Sequence, residues 1–251
     1  MGVKDMEEAE FKEMVSQIYG KHNANKFWKR HRKEGKVPQD KIEKLIDNAK
    51  DVFLSHNWGE DEKGRDNHAR VVKISEYLTS KGFRCWIDAE EMTGNLDKKM
   101  SSGIDASRMC IVFITDTYLK KTDGEGDGGE SDNCFKEFQY SSKAKGPQYI
   151  LPVIMEDDLM AQGDWYGPVA LSLNNKIYCP LTADEDDDEE WLKQCVGIEK
   201  ELLKKLKKPF NAMFAEEEYV NDVEVPADEL YDSSDAEEFN SDDDDWVGGD
   251  Y

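Results

Sequence analysis

Apolar positions change period near residue 50. Before it they recur at helical spacing, in EAEFKEMVSQIY, NKFWKRHRK and PQDKIEKLIDNA, which predict short amphipathic helices with Pro38 at a helix start. After it, short runs that are apolar on both faces alternate with longer helix-like segments. VFLS (52–55), FRCWI (83–87), MCIVFIT (109–115), YILPVI (149–154) and KIYCP (176–180) read as strands. The segments 67–82, 95–107, 133–146 and 189–206 read as the intervening helices. Strands without a polar face, separated by helices, imply a parallel sheet covered on both sides. The expected fold is α/β, a flavodoxin-like doubly wound five-stranded parallel sheet of order 2-1-3-4-5 with helices on both faces. The expected boundaries are an N-terminal helical extension at 1–49, the sheet domain at 50–208 and an acidic tail at 209–251.

Charge sharpens that division. Of the net −23, residues 214–251 contribute sixteen Asp and Glu and no Lys or Arg, so the first 213 residues carry only −7. Such a tail buries too little apolar surface to offset its ordering entropy and reads as disordered. The body has no field suited to nucleic-acid phosphates, so no nucleic-acid partner is expected. No apolar run reaches the roughly 18–20 residues that cross a bilayer, and the first residues lack the apolar core of a secretory signal. The five cysteines are odd in number and sit mostly in apolar segments, as reduced thiols do. A cytoplasmic protein with no membrane partner is expected.

Topology also predicts where chemistry should lie. In an open doubly wound sheet, ligands sit beyond the carboxyl ends of the strands where strand order reverses. That crevice falls between the first and third strands. It is bordered by SHNWGEDEKGRD (55–66) and by the chain from Asp116 to Asp132, which enters the helix at Asn133. Ser131 or Asp132 can cap that helix, and Glu137 lies one turn inside it. Ser55, His56, Asn57, Trp58 and Glu137 are therefore expected to converge. Other chemistries lack their spacing. The histidines and cysteines form no CxxC or HExxH, so no metal site is expected, and no GxSxG elbow is present. The loop TDGEGDGGESD (122–132) resembles half a calcium loop, but Cys134 stands at the twelfth position, so it reads as a solvated connector.

Five segments in order resemble a TIR (Toll/interleukin-1 receptor) domain: DVFLSHNWGED, GFRCWIDAEEMTGN, SRMCIVFITDTYLK, NCFKEF and YILPVIMED. The resemblance covers about residues 50–206. It implies intracellular signalling through TIR–TIR self-association, with Glu91, Met92, Thr93, Gly94 and Asn95 in the assembly loop. In TIR proteins that cleave NAD⁺, the glutamate of the Trp-Cys-x-x-Glu motif is catalytic, and it falls on Glu137. The same resemblance implies that Ser55, His56, Asn57, Trp58, Asp88, Asn133 and Cys134 border NAD⁺, taken as substrate with no resident cofactor. Asn133 stands where the motif has tryptophan, and Trp58 offers an alternative stacking face. Two readings stay open: a NAD⁺ glycohydrolase, or a non-enzymatic adaptor in which Glu137 is a helix N-terminal acid favoured by the dipole.

The concentrated charge of the tail carries a prediction of its own. Like charges of this density oppose self-assembly over about a Debye length. Deleting residues 214–251 should shift the protein toward oligomers at low salt in sedimentation velocity. An unchanged profile would sink the idea.

Overall fold

Neighbouring residues along each strand pack against different helices, and that alternation sets the layers. The computed structural model describes residues 4–20, 23–87 and 95–214. The chain opens with β1 (Met6–Glu7), α1 (Glu8–Tyr19), α2 (Ala24–His31), β2 (Lys36–Val37) and α3 (Gln39–Asn48). The α/β body follows as β3 (Lys50–Ser55), α4 (Asn67–Ser80), β4 (Cys85–Ile87), α5 (Leu96–Ala106), β5 (Ser107–Ile114), α6 (Asp116–Thr122), α7 (Asn133–Ala144) and β6 (Ile150–Ile154). It ends with α8 (Gly167–Leu173), β7 (Cys179–Pro180), α9 (Asp188–Leu206) and α10 (Phe210–Phe214).

The large sheet is parallel in the order β4-β3-β5-β6-β7, which is 2-1-3-4-5 counted from its first strand. Val52, Leu54, Met109, Ile111, Phe113, Leu151 and Val153 face α4 and α9. Phe53, Cys110, Val112, Ile114, Ile150 and Ile154 belong to a second cluster with α5, α6, α7 and α8. On that face Trp86 stacks on Phe53, with centroids 4.4 Å apart. Gly103 of α5 is required there, because a Cβ would stand 2.6 Å from the Trp86 ring. α1, α2 and α3 form a third cluster, which includes Phe210 and packs against Ala106.

Asp51 ties this arrangement together at the start of β3. It is fully buried and accepts from the backbone N–H of Arg84, the backbone N–H of Phe210 and the Arg108 guanidinium, each at 2.9 Å. One carboxylate thus fixes the approach to β4, the approach to α10 and the start of β5.

Several expectations change in detail. The expected strand at 176–180 shrinks to Cys179–Pro180, an edge position that tolerates a residue without an N–H. α6 and α8 were not foreseen: each has seven residues, too few to show a helical period. β1 and β2 form a two-residue antiparallel pair within a region expected to be only helical. Asp88, the assembly-loop residues Glu91, Met92, Thr93 and Gly94, and residues 215–251 of the tail expected at 209–251 lie outside the described residues. The first residues of that expected tail instead form α10, with Phe210 buried. Asn95 is described; it caps α5 by accepting from Lys98 N at 2.9 Å. Among the described residues, no helix is long and apolar enough to cross a membrane.

Removing a buried, fully engaged carboxylate strands its partners. Asp51→Ala should cost about 3–5 kcal/mol in urea unfolding. A cost below about 1 kcal/mol would mean that Arg84, Phe210 and Arg108 find other acceptors.

Candidate functional site

β3 ends at Ser55, in register with Val112 of β5, and the chain crosses to β4 on one side before returning as β5 on the other. The crevice left at that reversal is closed from above by α7. Asp132 caps α7, its Oδ1 accepting from Cys134 N at 2.8 Å, so it is this residue of the two candidates that takes the role. Glu137 follows one turn later with its side chain turned inward, only 5% exposed. The Ser55 hydroxyl donates to its Oε2 at 2.6 Å.

Beside them lies a cleft of about 180 Å³, bordered by His56, Trp58, Lys121, Asp132, Asn133, Cys134 and Glu137. His56, Trp58 and His68 form a ring stack, with Trp58 on His68 at 4.2 Å and His56 beside His68 at 5.1 Å. His56 Nε2 and His68 Nδ1 are 2.8 Å apart, and His56 Nδ1 lies 3.3 Å from the Leu54 carbonyl oxygen. Burial pushes the His56 imidazole down to about 4, so it is neutral at pH 7. The Leu54 carbonyl therefore accepts a hydrogen bond from Nδ1–H, and Nε2 accepts one from His68 Nδ1–H. Cys134 donates to the His56 carbonyl at 3.4 Å. Burial, and then the Glu137 charge beside it, hold its thiol well above the ordinary range. Cys134 is no thiolate nucleophile.

Asn57 does not join the cleft lining. Its Oδ1 accepts from the Thr115 hydroxyl at 2.6 Å, and its Nδ2 points to the Trp58 carbonyl. The same Thr115 oxygen caps α6 by accepting from Tyr118 N at 3.0 Å. Sequence reasoning missed Thr115 and Tyr118; a Thr directly after an apolar strand is a legible N-cap signal for the first, and no local pattern marks the second.

The loop from His56 to Asp66 keeps its shape through a charge cluster that sequence reasoning also passed over. Asp61 receives Arg65 Nε at 2.7 Å and Arg70 Nη1 at 2.8 Å, and its side chain and that of Arg70 are fully buried. Burial pushes the Asp61 carboxyl up, but the Arg65 backbone N–H and guanidinium and the Lys63 N–H outweigh it and leave it below its ordinary value. Burial, with Arg65 nearby, brings Arg70 down to about 10, so it stays charged at pH 7. Arg65 also reaches the Thr182 carbonyl at 2.7 Å, and Arg70 the Leu181 carbonyl, joining the loop to the chain after β7.

A family model for the TIR domain matches residues 52–196, more than half of the chain. The chain belongs to the TIR-domain family. Sixteen chains of known structure match it. One comes from the activated Roq1 resistosome directly recognizing the pathogen effector XopQ (TIR domains). It is 20% identical over 63% of this chain and 83% of that one, with a TM-score of 0.35. No curated protein matches the chain.

Within this TIR domain, Glu137 also borders a larger groove of about 490 Å³ between α5 and α7, lined by Met100, Ile104, Phe135, Tyr140, Lys136 and Lys143. Size does not make the groove the reactive place. Its lining is mainly apolar, and the polar residues of the loop after β3 face the smaller cleft. In the cleft, a buried carboxylate meets an aromatic rim, a combination suited to stabilising positive charge, while Lys121 adds a group that attracts anions.

The neutral His56 gives a signed pH dependence. Its folded value lies below the unfolded one, so the unfolded chain takes up a proton first as the pH falls from about 6.5 to about 4. Over that window the wild type should lose about 3 kcal/mol more than His56→Gln in denaturation followed against pH. Equal slopes would show that His56 protonates freely in the folded state.

Proposed function

We propose that this TIR domain cleaves the nicotinamide–ribose bond of NAD⁺ and signals through self-association with other TIR domains. The observation that carries the reading is Glu137: a carboxylate almost wholly buried, hydrogen-bonded by Ser55, and bordering a cleft shared with His56, Trp58 and Lys121. Breaking that bond develops oxocarbenium character on the ribose, which an ionised carboxylate in a site of low dielectric stabilises. The nicotinamide leaves as a neutral molecule, so no strong general acid is needed. This suits a site whose histidine is neutral and whose thiol stays protonated.

The cleft is smaller than the roughly 300–1,000 Å³ of a site enclosing a drug-sized ligand. In this reading it takes only the nicotinamide riboside end, with Trp58, 38% exposed, giving the ring a stacking face in place of the motif tryptophan. The phosphates then lie toward Lys121. Residues 50–208 constitute the active unit, and the segment Asp88–Asn95 serves assembly.

A second reading rests on the depth of Glu137. A carboxylate 5% exposed and tied to Ser55 also serves as a post joining α7 to β3, as in an adaptor that only binds other TIR domains. Incubating concentrated protein with NAD⁺ and following nicotinamide release separates the two. The enzyme reading expects release that falls at least about 100-fold in Glu137→Ala. No release from folded, assembled wild type leaves the adaptor.

A further inference from the structure

We infer that Tyr118 is a positioning residue for Glu137, acting through Ser55 to hold the carboxylate ionised and oriented for the NAD⁺ cleavage proposed above, on which its catalytic arm rests. Ser55 Oγ lies 2.6 Å from Glu137 Oε2 and 2.9 Å from the Tyr118 hydroxyl, and all three side chains are buried. A serine hydroxyl has one proton to give. With Glu137 ionised, that proton goes to the carboxylate, so the serine oxygen must accept from Tyr118. The chain therefore runs one way, Tyr118 to Ser55 to Glu137, and each donation strengthens the next in a low dielectric. Protonating Glu137 removes that polarity, because the carboxylic acid then needs to donate.

The phenol itself is immobilised. Thr115 Oγ1 accepts the Tyr118 backbone N–H at 3.0 Å and donates to Asn57 at 2.6 Å, tying α6 to the loop after β3. Burial keeps the phenol far above its ordinary value, so it remains a donor at every working pH. Among the described residues, the titratable groups near Glu137 include Cys110 from β5, Cys134 from its own helix, His56, Lys121 and Asp132 in the cleft, and Asp97, Lys136, Tyr140 and Lys143 along the groove. Burial lifts Cys110 to about 12 and Cys134 well above its usual range, so neither thiol titrates with the carboxylate. His56, pushed down to about 4, does titrate in the acid range. The carboxyl carbon of Glu137 must therefore be followed directly.

The test is Tyr118→Phe, which keeps the ring and removes one oxygen, in the full-length protein. Carbon NMR of glutamate-labelled protein, with the resonance assigned by Glu137→Gln, reports the Glu137 titration. In the Phe variant the midpoint should rise by about half a pH unit. The kcat for nicotinamide release should fall about tenfold with KM unchanged, and the acid limb of kcat/KM should move to higher pH. Site-specific 3-fluorotyrosine at 118, a stronger donor of nearly the same size, should move the midpoint the other way, and it serves alone if the Phe variant does not fold. An unchanged midpoint, with only a lower Tm, overturns the inference. If the wild type releases no nicotinamide, the proposed reaction fails. The titration still decides: an upward shift upholds the relay from Tyr118, and an unchanged midpoint ends it.

Discussion

Strand β5 is apolar on both sides, and the rest of the body follows from covering it. Cys110, Val112 and Ile114 point to one helical layer while Met109, Ile111 and Phe113 point to the other. A strand of this kind in water requires two layers, and two layers over a parallel sheet require a crossover after every strand. All carboxyl ends then lie along one edge, and the loops leaving them have to gather there. The cleft around Glu137 is a consequence of that burial, placed where the crossover direction reverses between β3 and β5.

Each edge of the sheet is held by an aspartate of the segment around β3. At the amino edge Asp51 accepts two backbone N–H groups and a guanidinium, binding β3 to α10 and β5. At the carboxyl edge Asp61 accepts two guanidinium groups that in turn reach the chain after β7. Buried charge is costly, and here every charge has several partners, which is the condition under which such a cluster is tolerated. The chain thereby holds the two ends of the sheet with directional contacts, while its faces rely on non-directional apolar packing.

Between the charge cluster and α7 runs a second chain of hydrogen bonds, through Asn57, Thr115, Tyr118 and Ser55 to the Glu137 carboxylate. It links the loop after β3 to the loop after β5 and to the helix that carries the carboxylate. The ring stack of His56, His68 and Trp58 forms the opposite wall, and Cys134 joins that wall to α7 through the His56 carbonyl. A ligand entering the cleft meets walls already braced from behind, which lowers the ordering cost of binding.

The sequence alone determined the layers, the strand order and the neighbourhood of the site, because two-faced apolar strands and helical periods are local patterns repeated over many residues. The convergence of Ser55 and His56 with Glu137 was legible for the same reason, since topology brings whole strand ends together. What only the tertiary structure decided are the partners of single polar atoms. Asn57 turns to Thr115 rather than into the cleft, and Asp132 rather than Ser131 caps α7. Tyr118 completes the contact to Ser55 from a helix too short to announce itself by period. Arg65 and Arg70 read in the sequence as ordinary charges, and become structural only because Asp61 and the carbonyls after β7, more than a hundred residues away along the chain, are folded against them. Hydrogen bonds depend on tenths of an ångström between residues far apart in the chain, and no local pattern encodes that.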